Sequence, residues 1–163
     1  MDETIRLIIT GGTFDKDYDP LSGKLTFRDT HLGHILEELR LTVPVVLEIN
    51  QLTDSLEMSD EQRLGVVEAC ERAPETRIII THGTDTMTET ARLIDSRNLG
   101  TTIVLTGAMV PYSVSGSDAV FNLGTAVSAV QLLSPGVYVC MNGRSFPASR
   151  VRKDTVRGVF EAG

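Results

Sequence analysis

The chain has 163 residues, of which 41% are hydrophobic, and carries 15 Lys and Arg against 22 Asp and Glu, a net charge of −7. This composition excludes an intrinsically disordered chain. The acidic balance argues against nucleic acid or an anionic membrane as the main partner, because both require a basic face. No apolar run is long enough to span a bilayer, and the length predicts one domain over residues 1–163. Asp2 and Glu3 stand where a secretory signal needs positive charge, which predicts a cytoplasmic protein.

Five apolar runs of strand length alternate with segments of helical periodicity along the chain. The runs are residues 4–10, 43–49, 76–81, 101–106 and 136–141, and the helical segments are residues 31–40, 59–72, 87–97 and 118–133. Ser59 and Gln62 have the spacing of a capping box. Most strands lack in-and-out alternation, which indicates burial on both faces. The sequence therefore predicts an α/β fold: a three-layer, open, mostly parallel sheet with helices on both faces.

Two segments do not fit this alternation. Residues 14–28 contain Asp-Pro and Ser-Gly pairs, which predict a mobile loop or hairpin arm after the first strand. Residues 144–157 contain four Arg and one Lys against a single Asp, which predicts a solvated loop or a segment that neutralises an anion. Cys70 and Cys140 match no metal or redox spacing, so both are predicted to be buried thiols.

Polar residues and glycines follow the predicted strands at their carboxyl ends, where ligands bind in open parallel sheets. They are Gly11, Gly12 and Thr13, Asp54 and Ser55, residues 81–86, Gly107 and Ala108, and further along the chain Lys153. Hydroxyls, a carboxylate and a lysine, with glycine where a substrate must approach the backbone, suit nucleophilic acyl transfer. A threonine nucleophile needs a base, which a lysine or a tyrosine can supply, and backbone N–H groups at the glycine turns would stabilise an oxyanion.

Several of these residues also have structural interpretations. Thr86 and Glu89 have the spacing of a capping box, so Thr86 is predicted to be a helix N-cap rather than a catalyst. Asp85 could instead complement the positive end of the same helix. His82, at a strand end, is predicted to be a structural histidine.

Other chemistries lack their sequence signatures. The chain contains no G-x-S-x-G elbow, no P-loop and no G-x-G-x-x-G motif, which argues against serine-hydrolase, P-loop and dinucleotide-binding functions. His31 and His34 lie three residues apart, but no third ligand is near, so no metal site is predicted. The chain has only three lysines, Lys16, Lys24 and Lys153, and lysine can lose a proton near neutral pH where arginine cannot.

Three runs of residues together resemble the bacterial-type L-asparaginase/glutaminase family. They are residues 8–13 (IITGGT), residues 81–91 (THGTDTMTETA) and residues 106–111 (TGAMVP), the last followed by Phe121, Asn122 and Leu123. The resemblance covers the whole chain but only the N-terminal domain of the usual member, so the family's C-terminal domain is expected to be absent. It implies hydrolysis of L-asparagine through a threonine acyl-enzyme, without a cofactor, by a homo-oligomer.

The resemblance also implies the catalytic residues. Thr13 and Thr84 match the two catalytic threonines of the family. Tyr18 resembles the tyrosine that activates the first threonine from a mobile loop, at a shorter spacing than in long members. Lys153 matches the lysine paired with the second threonine, with Asp85 beside it. On this basis Thr13 attacks the carboxamide, and the group around Thr84 supports the second step.

Substrate binding is implied in the same way. Ser55 would hold the α-carboxylate, Asp85 the α-amino group, and the Ala108 carbonyl the side-chain amide, whereas Leu56 departs from the glutamine that many long members carry. The predicted substrate-binding residues are Gly12, Asp54, Ser55, Gly83, Asp85 and Ala108. The family's second domain lends an acidic residue across a dimer interface, so we expect this chain to rely on a neighbouring copy and to bind substrate more weakly.

Two alternatives to an asparaginase stay open. One is a relaxed amidase that prefers glutamine or another small amide, since the sequence does not measure the pocket's length. The other is an amino-acid-sensing module without turnover. A pure binding module has no need of Tyr18 or Lys153, which favours the enzyme.

Overall fold

The computed structural model describes residues 2–163 and confirms the predicted α/β architecture. In chain order the strands are β1 (Ile5–Gly11), β2 (Asp17–Asp19), β3 (Lys24–Thr26), β4 (Val45–Thr53), β5 (Arg77–Thr81), β6 (Thr102–Thr106), β7 (Gly136–Met141), β8 (Arg144–Pro147), β9 (Val151–Asp154) and β10 (Val159–Ala162). The helices are α1 (Leu32–Glu38), α2 (Asp60–Arg72), α3 (Met87–Asp95) and α4 (Ala119–Leu132), with 3-10 turns at Thr13–Asp15 and Ala148–Arg150.

The main sheet has six strands in the order β4-β1-β5-β6-β7-β8, and all neighbours are parallel except β8, which runs antiparallel to β7. From β1 the chain moves outward to β4 and then crosses back to β5 on the other side of β1. The direction of winding therefore reverses between β1 and β5. In open parallel sheets the ligand crevice lies at the carboxyl ends of the strands at such a point.

Two apolar layers cover the two faces of the sheet. Helices α2 and α3 pack on one face against Ile8, Ile80 and Leu105, and helices α1 and α4 pack on the other against Leu7 and Ile79. Neighbouring residues of one strand thus enter opposite layers, as a side-chain period of two requires. The continuous apolar runs are explained because both faces of the central strands are buried.

Strand β4 differs from the prediction of burial on both faces. Val46, Leu47 and Ile49 are between 37% and 57% exposed, because β4 is an edge strand; on the face of Leu47 and Ile49, α1 has only seven residues and leaves much of the strand open. The predicted solvated loop at residues 144–157 is also wrong. It forms strands β8 and β9, and two of its arginines pair with carboxylates of the β9–β10 hairpin, as Arg152 does with Glu161 at 2.6 Å.

Local predictions elsewhere are confirmed. The capping box at Ser59 and Gln62 starts α2 with both of its hydrogen bonds, and residues 14–28 contain the hairpin β2–β3. Cys70 and Cys140 are both buried free thiols. Within residues 2–163, no helix combines the length and hydropathy needed to cross a membrane.

Candidate active site

Two glycine turns meet at the carboxyl ends of β1 and β5. A Cβ at Gly12, whose φ is 74°, would lie 2.4 Å from Gly83 N, and a Cβ at Gly83 would lie 2.6 Å from Ser55 Oγ. Only glycine allows this approach. The Gly12 N–H donates to Thr53 O at 3.1 Å, and the Gly12 carbonyl accepts from Asp15 N at 3.2 Å. Gly12 therefore provides close packing and not a free backbone donor.

Lys153 joins the residues that follow β5 into one cluster. Its Nζ donates to Thr84 Oγ1 at 2.8 Å and to Asp85 Oδ1 at 2.9 Å. Strand β9, which carries Lys153, is tied to α3 because Arg92 Nη2 donates to Val151 O at 2.6 Å. Thr84 is 6% exposed, whereas the Asp85 side chain is 43% exposed. One ammonium thus serves a hydroxyl and a carboxylate, and the second carboxylate oxygen remains open to a ligand.

Thr13 and Tyr18 lie on the other side of the crevice and form no comparable cluster. Thr13 starts the 3-10 turn directly after β1 and is partly buried. Tyr18 lies on β2 opposite Leu25 of β3 and is 59% exposed. Among residues 2–163 neither hydroxyl takes part in a side-chain hydrogen bond. The structure therefore brings Thr13 and Thr84 to adjacent strand ends but leaves Tyr18 on an exposed hairpin.

Asp15 closes the base of the segment that carries Tyr18. Its side chain is buried and accepts hydrogen bonds from His31 N at 2.9 Å and Thr30 Oγ1 at 2.8 Å. His31 Nε2 in turn contacts Asp17 Oδ1 at 3.0 Å. Burial raises the pKa of Asp15 above its usual value, although the two hydrogen bonds act in the opposite direction. The hairpin is thus anchored at its base.

Asp54, predicted to bind substrate, is engaged by protein groups. Lys16 Nζ donates to Asp54 Oδ2, and Leu56 N donates to Asp54 Oδ1 at 3.0 Å. The hydrogen bond from Lys16 holds the pKa of Asp54 below its usual value. The pair ties the turn after Thr13 to the turn after β4. Sequence reasoning did not assign Lys16, although the rarity of lysine in this chain was a signal for it.

Ser55 is buried, and it is bonded to Thr86 at the start of α3, which in turn is bonded to Arg63 of α2. Thr86 N donates to Ser55 Oγ at 3.3 Å, and Thr86 Oγ1 donates to Ser55 O at 3.0 Å. Arg63 of α2 donates from Nη2 to Thr86 Oγ1 and from Nε to Thr90 Oγ1, both at 3.0 Å. The predicted capping box of Thr86 and Glu89 is wrong: Thr86 occupies the N-cap position of α3, but Ser55 and Arg63 engage its hydroxyl.

His82, at the end of β5, is fully buried and satisfied, as predicted for a structural histidine. Its Nδ1 lies 2.8 Å from Gly83 O and must donate, because a carbonyl only accepts. Nε2 therefore accepts from Thr90 Oγ1 at 2.8 Å. Burial lowers the pKa of His82 to about 4, and the charge of Arg63 acts in the same direction. The ring is neutral at pH 7.

Ala108 is buried in the loop between β6 and α4, and two residues at the start of α4, Asp118 and Asn122, hydrogen-bond to this loop. Asp118 Oδ2 accepts from Met109 N at 3.0 Å, and Asn122 Nδ2 donates to Gly107 O at 2.9 Å. A further bond of 2.9 Å joins Asn122 Nδ2 to Asp118 Oδ2. Asn122 was noted in the sequence only as part of a motif, and Asp118 was missed because its position indicates an ordinary helix start.

The two neighbouring histidines contact carboxylates. His31 Nε2 contacts Asp17, and His34 Nε2 lies 3.3 Å from Glu38 Oε1 one turn along α1. In the part of the chain that the structure describes, no group of three His, Cys, Asp or Glu side chains is placed to hold a metal ion.

Known proteins resemble this chain in sequence and in fold. The family model described as "Asparaginase, N-terminal" matches residues 4–159. An L-asparaginase of Thermococcus kodakarensis is 40% identical over 78 residues, 47% of this chain and 24% of that protein. A glutaminase-asparaginase of Acinetobacter glutaminasificans is 40% identical over 80 residues, 47% of this chain and 24% of that protein.

The solved structure of the thermostable L-asparaginase from Thermococcus kodakarensis superposes with a TM-score of 0.84 at 28% identity. The match covers 98% of this chain and 51% of that one. The chain therefore spans about half the length of the solved protein, and the aligned part is about a quarter of each of the two relatives.

Proposed function

The chain belongs to the asparaginase family, and from this premise we propose that it hydrolyses the side-chain amide of L-asparagine to L-aspartate and ammonia. The observation that carries the proposal is the contact of Lys153 Nζ with Thr84 Oγ1 at 2.8 Å and Asp85 Oδ1 at 2.9 Å. A hydroxyl, an amine and a carboxylate within hydrogen-bond distance can move protons during acyl transfer. This cluster lies at the crevice between β1 and β5, next to Thr13.

The proposed binding mode uses three polar groups at the crevice. Ser55 Oγ accepts from Thr86 N, so its own proton is free to donate to the α-carboxylate of the substrate. Asp85 Oδ1 faces Lys153, which leaves Oδ2 for the α-ammonium group. The Ala108 carbonyl accepts from the side-chain amide. Gly83 lets the substrate lie close to the backbone.

The first step in this mechanism is attack by Thr13 Oγ1 on the carboxamide carbon. The phenol of Tyr18, which the hairpin brings toward the bound substrate, relays the proton: its oxygen accepts the Thr13 proton as its own proton passes to the amide nitrogen. The C–N bond then breaks, ammonia leaves, and the phenol is left unchanged. The support for this order is the resemblance of the two runs that carry Thr13 and Thr84 to the family motifs.

The second step releases aspartate. Water adds to the Thr13 ester through a proton relay: the Lys153 ammonium passes a proton to Asp85, its nitrogen takes the Thr84 hydroxyl proton, and Thr84 Oγ1 takes the proton of the water. The relay runs in reverse as the ester bond breaks, so Thr13 Oγ1 regains a proton and L-aspartate leaves. Contacts that exist before substrate binds need no reorganisation during the reaction, which favours Lys153 for this role.

A relaxed preference for glutamine is the second candidate, and similarity to a glutaminase-asparaginase favours it. Steady-state ammonia release from L-asparagine and L-glutamine, measured side by side, separates the two candidates by kcat/KM. Equal values for the two amides would replace the first proposal with the second. A protein that binds L-aspartate but releases no ammonia from either amide would be a sensing module.

The catalytic assignment has its own test. Thr13→Val and Thr84→Val are each expected to abolish most ammonia release, because each removes a reacting hydroxyl. Thr102→Val is the matched control, since Thr102 is also a buried threonine but bonds to Leu133 O at the opposite end of the sheet. Wild-type rates in both site variants would overturn the assignment.

We also propose that the protein is a homo-oligomer. Exposed apolar side chains that a second copy could cover include Met109 at 38%, Phe121 at 63% and Val156 at 94% exposure. Light scattering tests this proposal, and a monomer at all concentrations would contradict it. A cytoplasmic location stays a prediction that cell fractionation can check.

A further inference from the structure

Arg63 holds a positive charge beneath the Ser55 turn, and we propose that it is a positioning residue that makes the site select ligands with a free α-carboxylate. The proposal deepens the proposed function and rests on it, because Ser55 is the group assigned to that carboxylate. Arg63 does not touch the ligand. It acts through Thr86, which contacts Ser55 twice.

The side chain of Arg63 is held inside the protein at two points. It is 10% exposed, although it stands in the first turn of a helix whose other charged residues face solvent. Nε donates to Thr90 Oγ1 and Nη2 donates to Thr86 Oγ1. Thr90 in turn donates to the neutral ring of His82, which fixes the direction of its hydroxyl. Each hydrogen bond in the series from Arg63 through Thr90 to His82 therefore has one defined donor and one defined acceptor.

This directionality reaches Ser55. The Thr86 hydroxyl donates to Ser55 O, since a carbonyl only accepts, and the guanidinium donation to Thr86 Oγ1 polarises this hydroxyl. The Thr86 N–H meanwhile occupies a lone pair of Ser55 Oγ. The Ser55 proton consequently has no acceptor in this network and is available for a ligand. Without Arg63, the Thr86 hydroxyl still donates to Ser55 O but loses the charged donor that polarises it and holds its oxygen in place.

The charge of Arg63 is only weakly balanced. Asp60 Oδ1 lies 3.7 Å from Nη1 and Glu89 Oε2 lies 3.8 Å from Nη2, but both carboxylates are largely exposed. Exposed carboxylates are screened by water and neutralise a buried cation poorly. The charge of Arg63 therefore makes a positive contribution to the potential at the Ser55 turn, where the Asp54 carboxylate is already paired with Lys16, and this contribution favours an anionic ligand group over a neutral one of the same shape.

The test compares two ligands that differ only in this charge. L-aspartate has a free α-carboxylate, and L-isoasparagine carries an amide at the same position. Calorimetry measures the Kd of both for the wild type, Arg63→Met and Arg63→Lys. Arg6→Met is the control, since Arg6 is also a partly buried arginine with two carboxylate partners, but at the amino end of β1.

For Arg63→Met we expect the Kd of L-aspartate to rise about tenfold, the size of one charge-assisted contact, while the Kd of L-isoasparagine stays within about twofold. KM for L-asparagine should rise with kcat nearly unchanged. Arg63→Lys should give an intermediate loss, because an ammonium keeps the charge but cannot donate to Thr86 and Thr90 as the planar guanidinium does. Arg6→Met should lower Tm and leave both Kd values unchanged.

Parallel weakening of both ligands, or no change in either, would overturn the proposal. Parallel weakening would indicate a purely structural arginine. A wild type that binds neither ligand would also count against it. Failure of the proposed function is distinguishable, because a protein that releases no ammonia can still discriminate L-aspartate from L-isoasparagine through Arg63.

Discussion

The two sides of the crevice differ in how many hydrogen bonds already hold their functional residues and in how deeply these residues are buried. On the β5 side, Thr84 is 6% exposed and already bonded to Lys153, and a buried chain of hydrogen bonds backs the neighbouring Ser55 turn. On the β1 side, Thr13 has no side-chain partner in the described residues, and Tyr18 lies on a hairpin at 59% exposure. Groups that must transfer protons in a fixed geometry are prearranged on the first side, whereas the second side is left for the substrate to complete.

The difference has a physical basis in what each side packs against. Thr84 follows a central strand and precedes α3, so sheet and helix both restrict it. Tyr18 belongs to a strand of three residues, which within residues 2–163 pairs only with another three-residue strand. A two-stranded ribbon of this size has little stability of its own. Asp15 and Lys16 anchor its base, and its far end is exposed to solvent.

Lys153→Met should have the largest effect and tests the prearranged side. We expect kcat for L-asparagine to fall about a thousandfold, because general acid–base groups contribute about 10²–10⁴ in rate. Arg152→Met is the control, since Arg152 is the adjacent residue, is 67% exposed and pairs with Glu161. Equal ammonia release by both variants would remove the distinction between the two sides.

Gly12→Ala tests the place where the two sides meet. A methyl group at this φ of 74° would clash with Gly83 N, so we expect a loss of about 3 kcal/mol in the free energy of unfolding. Gly124→Ala is the control, because Gly124 lies in α4 with open space around it, and there alanine should stabilise by about 0.5–1 kcal/mol. Urea unfolding measures both changes. A Gly12→Ala variant with the wild-type free energy of unfolding would mean that the two glycine turns can separate.

Tyr18→Phe tests the incomplete side. We expect kcat to fall about a hundredfold, because the phenol is the proposed proton acceptor, while Tm stays unchanged because the side chain is exposed. Tyr138→Phe also removes a tyrosine hydroxyl, which there donates to Ser134 O, and should leave the rate unchanged. A Tyr18→Phe variant with a wild-type rate would assign the first proton transfer to another group.

His82→Gln tests the buried hydrogen-bond network behind Ser55 through the pH dependence of the free energy of unfolding. Between about pH 4 and pH 6.5 the unfolded chain protonates this histidine, whereas the folded protein keeps it neutral. The unfolded state then binds more protons, so the free energy of unfolding falls as the pH drops through this window. The stabilising contribution of the neutral His82 is fully present above the window. At about pH 5 the wild type should lose about 2 kcal/mol that His82→Gln does not lose.

Urea unfolding at about pH 7.5 and about pH 5 measures this difference. His34→Gln is the matched control for the substitution, since His34 is 63% exposed and lies on α1, outside the network of Arg63, Thr90 and His82. A wild type and a His82→Gln variant with the same pH dependence would mean that water reaches the hydrogen-bond network behind Ser55.

Much of the fold could be predicted because burial leaves a local trace. The central strands are continuous apolar runs, and the β2–β3 hairpin has Asp-Pro and Ser-Gly pairs. Strands β8–β10 could not be predicted, because each has only four residues and its pairing depends on the direction in which the chain continues after β7. Exposure of Ile49 likewise depends on the length of α1 and not on the β4 sequence.

The candidate site divides in the same way. Thr84, Asp85 and Lys153 were predicted by resemblance, and the structure places the three together. Arg63 was missed because a polar residue inside a helical pattern resembles any solvated position, and its partners lie on another helix. The capping-box pattern of Thr86 misled for a related reason: a local pattern cannot register competition from distant groups.

The most direct test of the two-sided account is the site of acylation. Thr84→Val is mixed with L-asparagine, quenched in acid within the first turnover and mapped by peptide mass spectrometry, with Thr13→Val treated in parallel. The account predicts an aspartyl ester on Thr13 that accumulates in Thr84→Val, because the prearranged side is then unable to support hydrolysis. An aspartyl group on Thr84 in the Thr13→Val variant, with none on Thr13 in Thr84→Val, would contradict it.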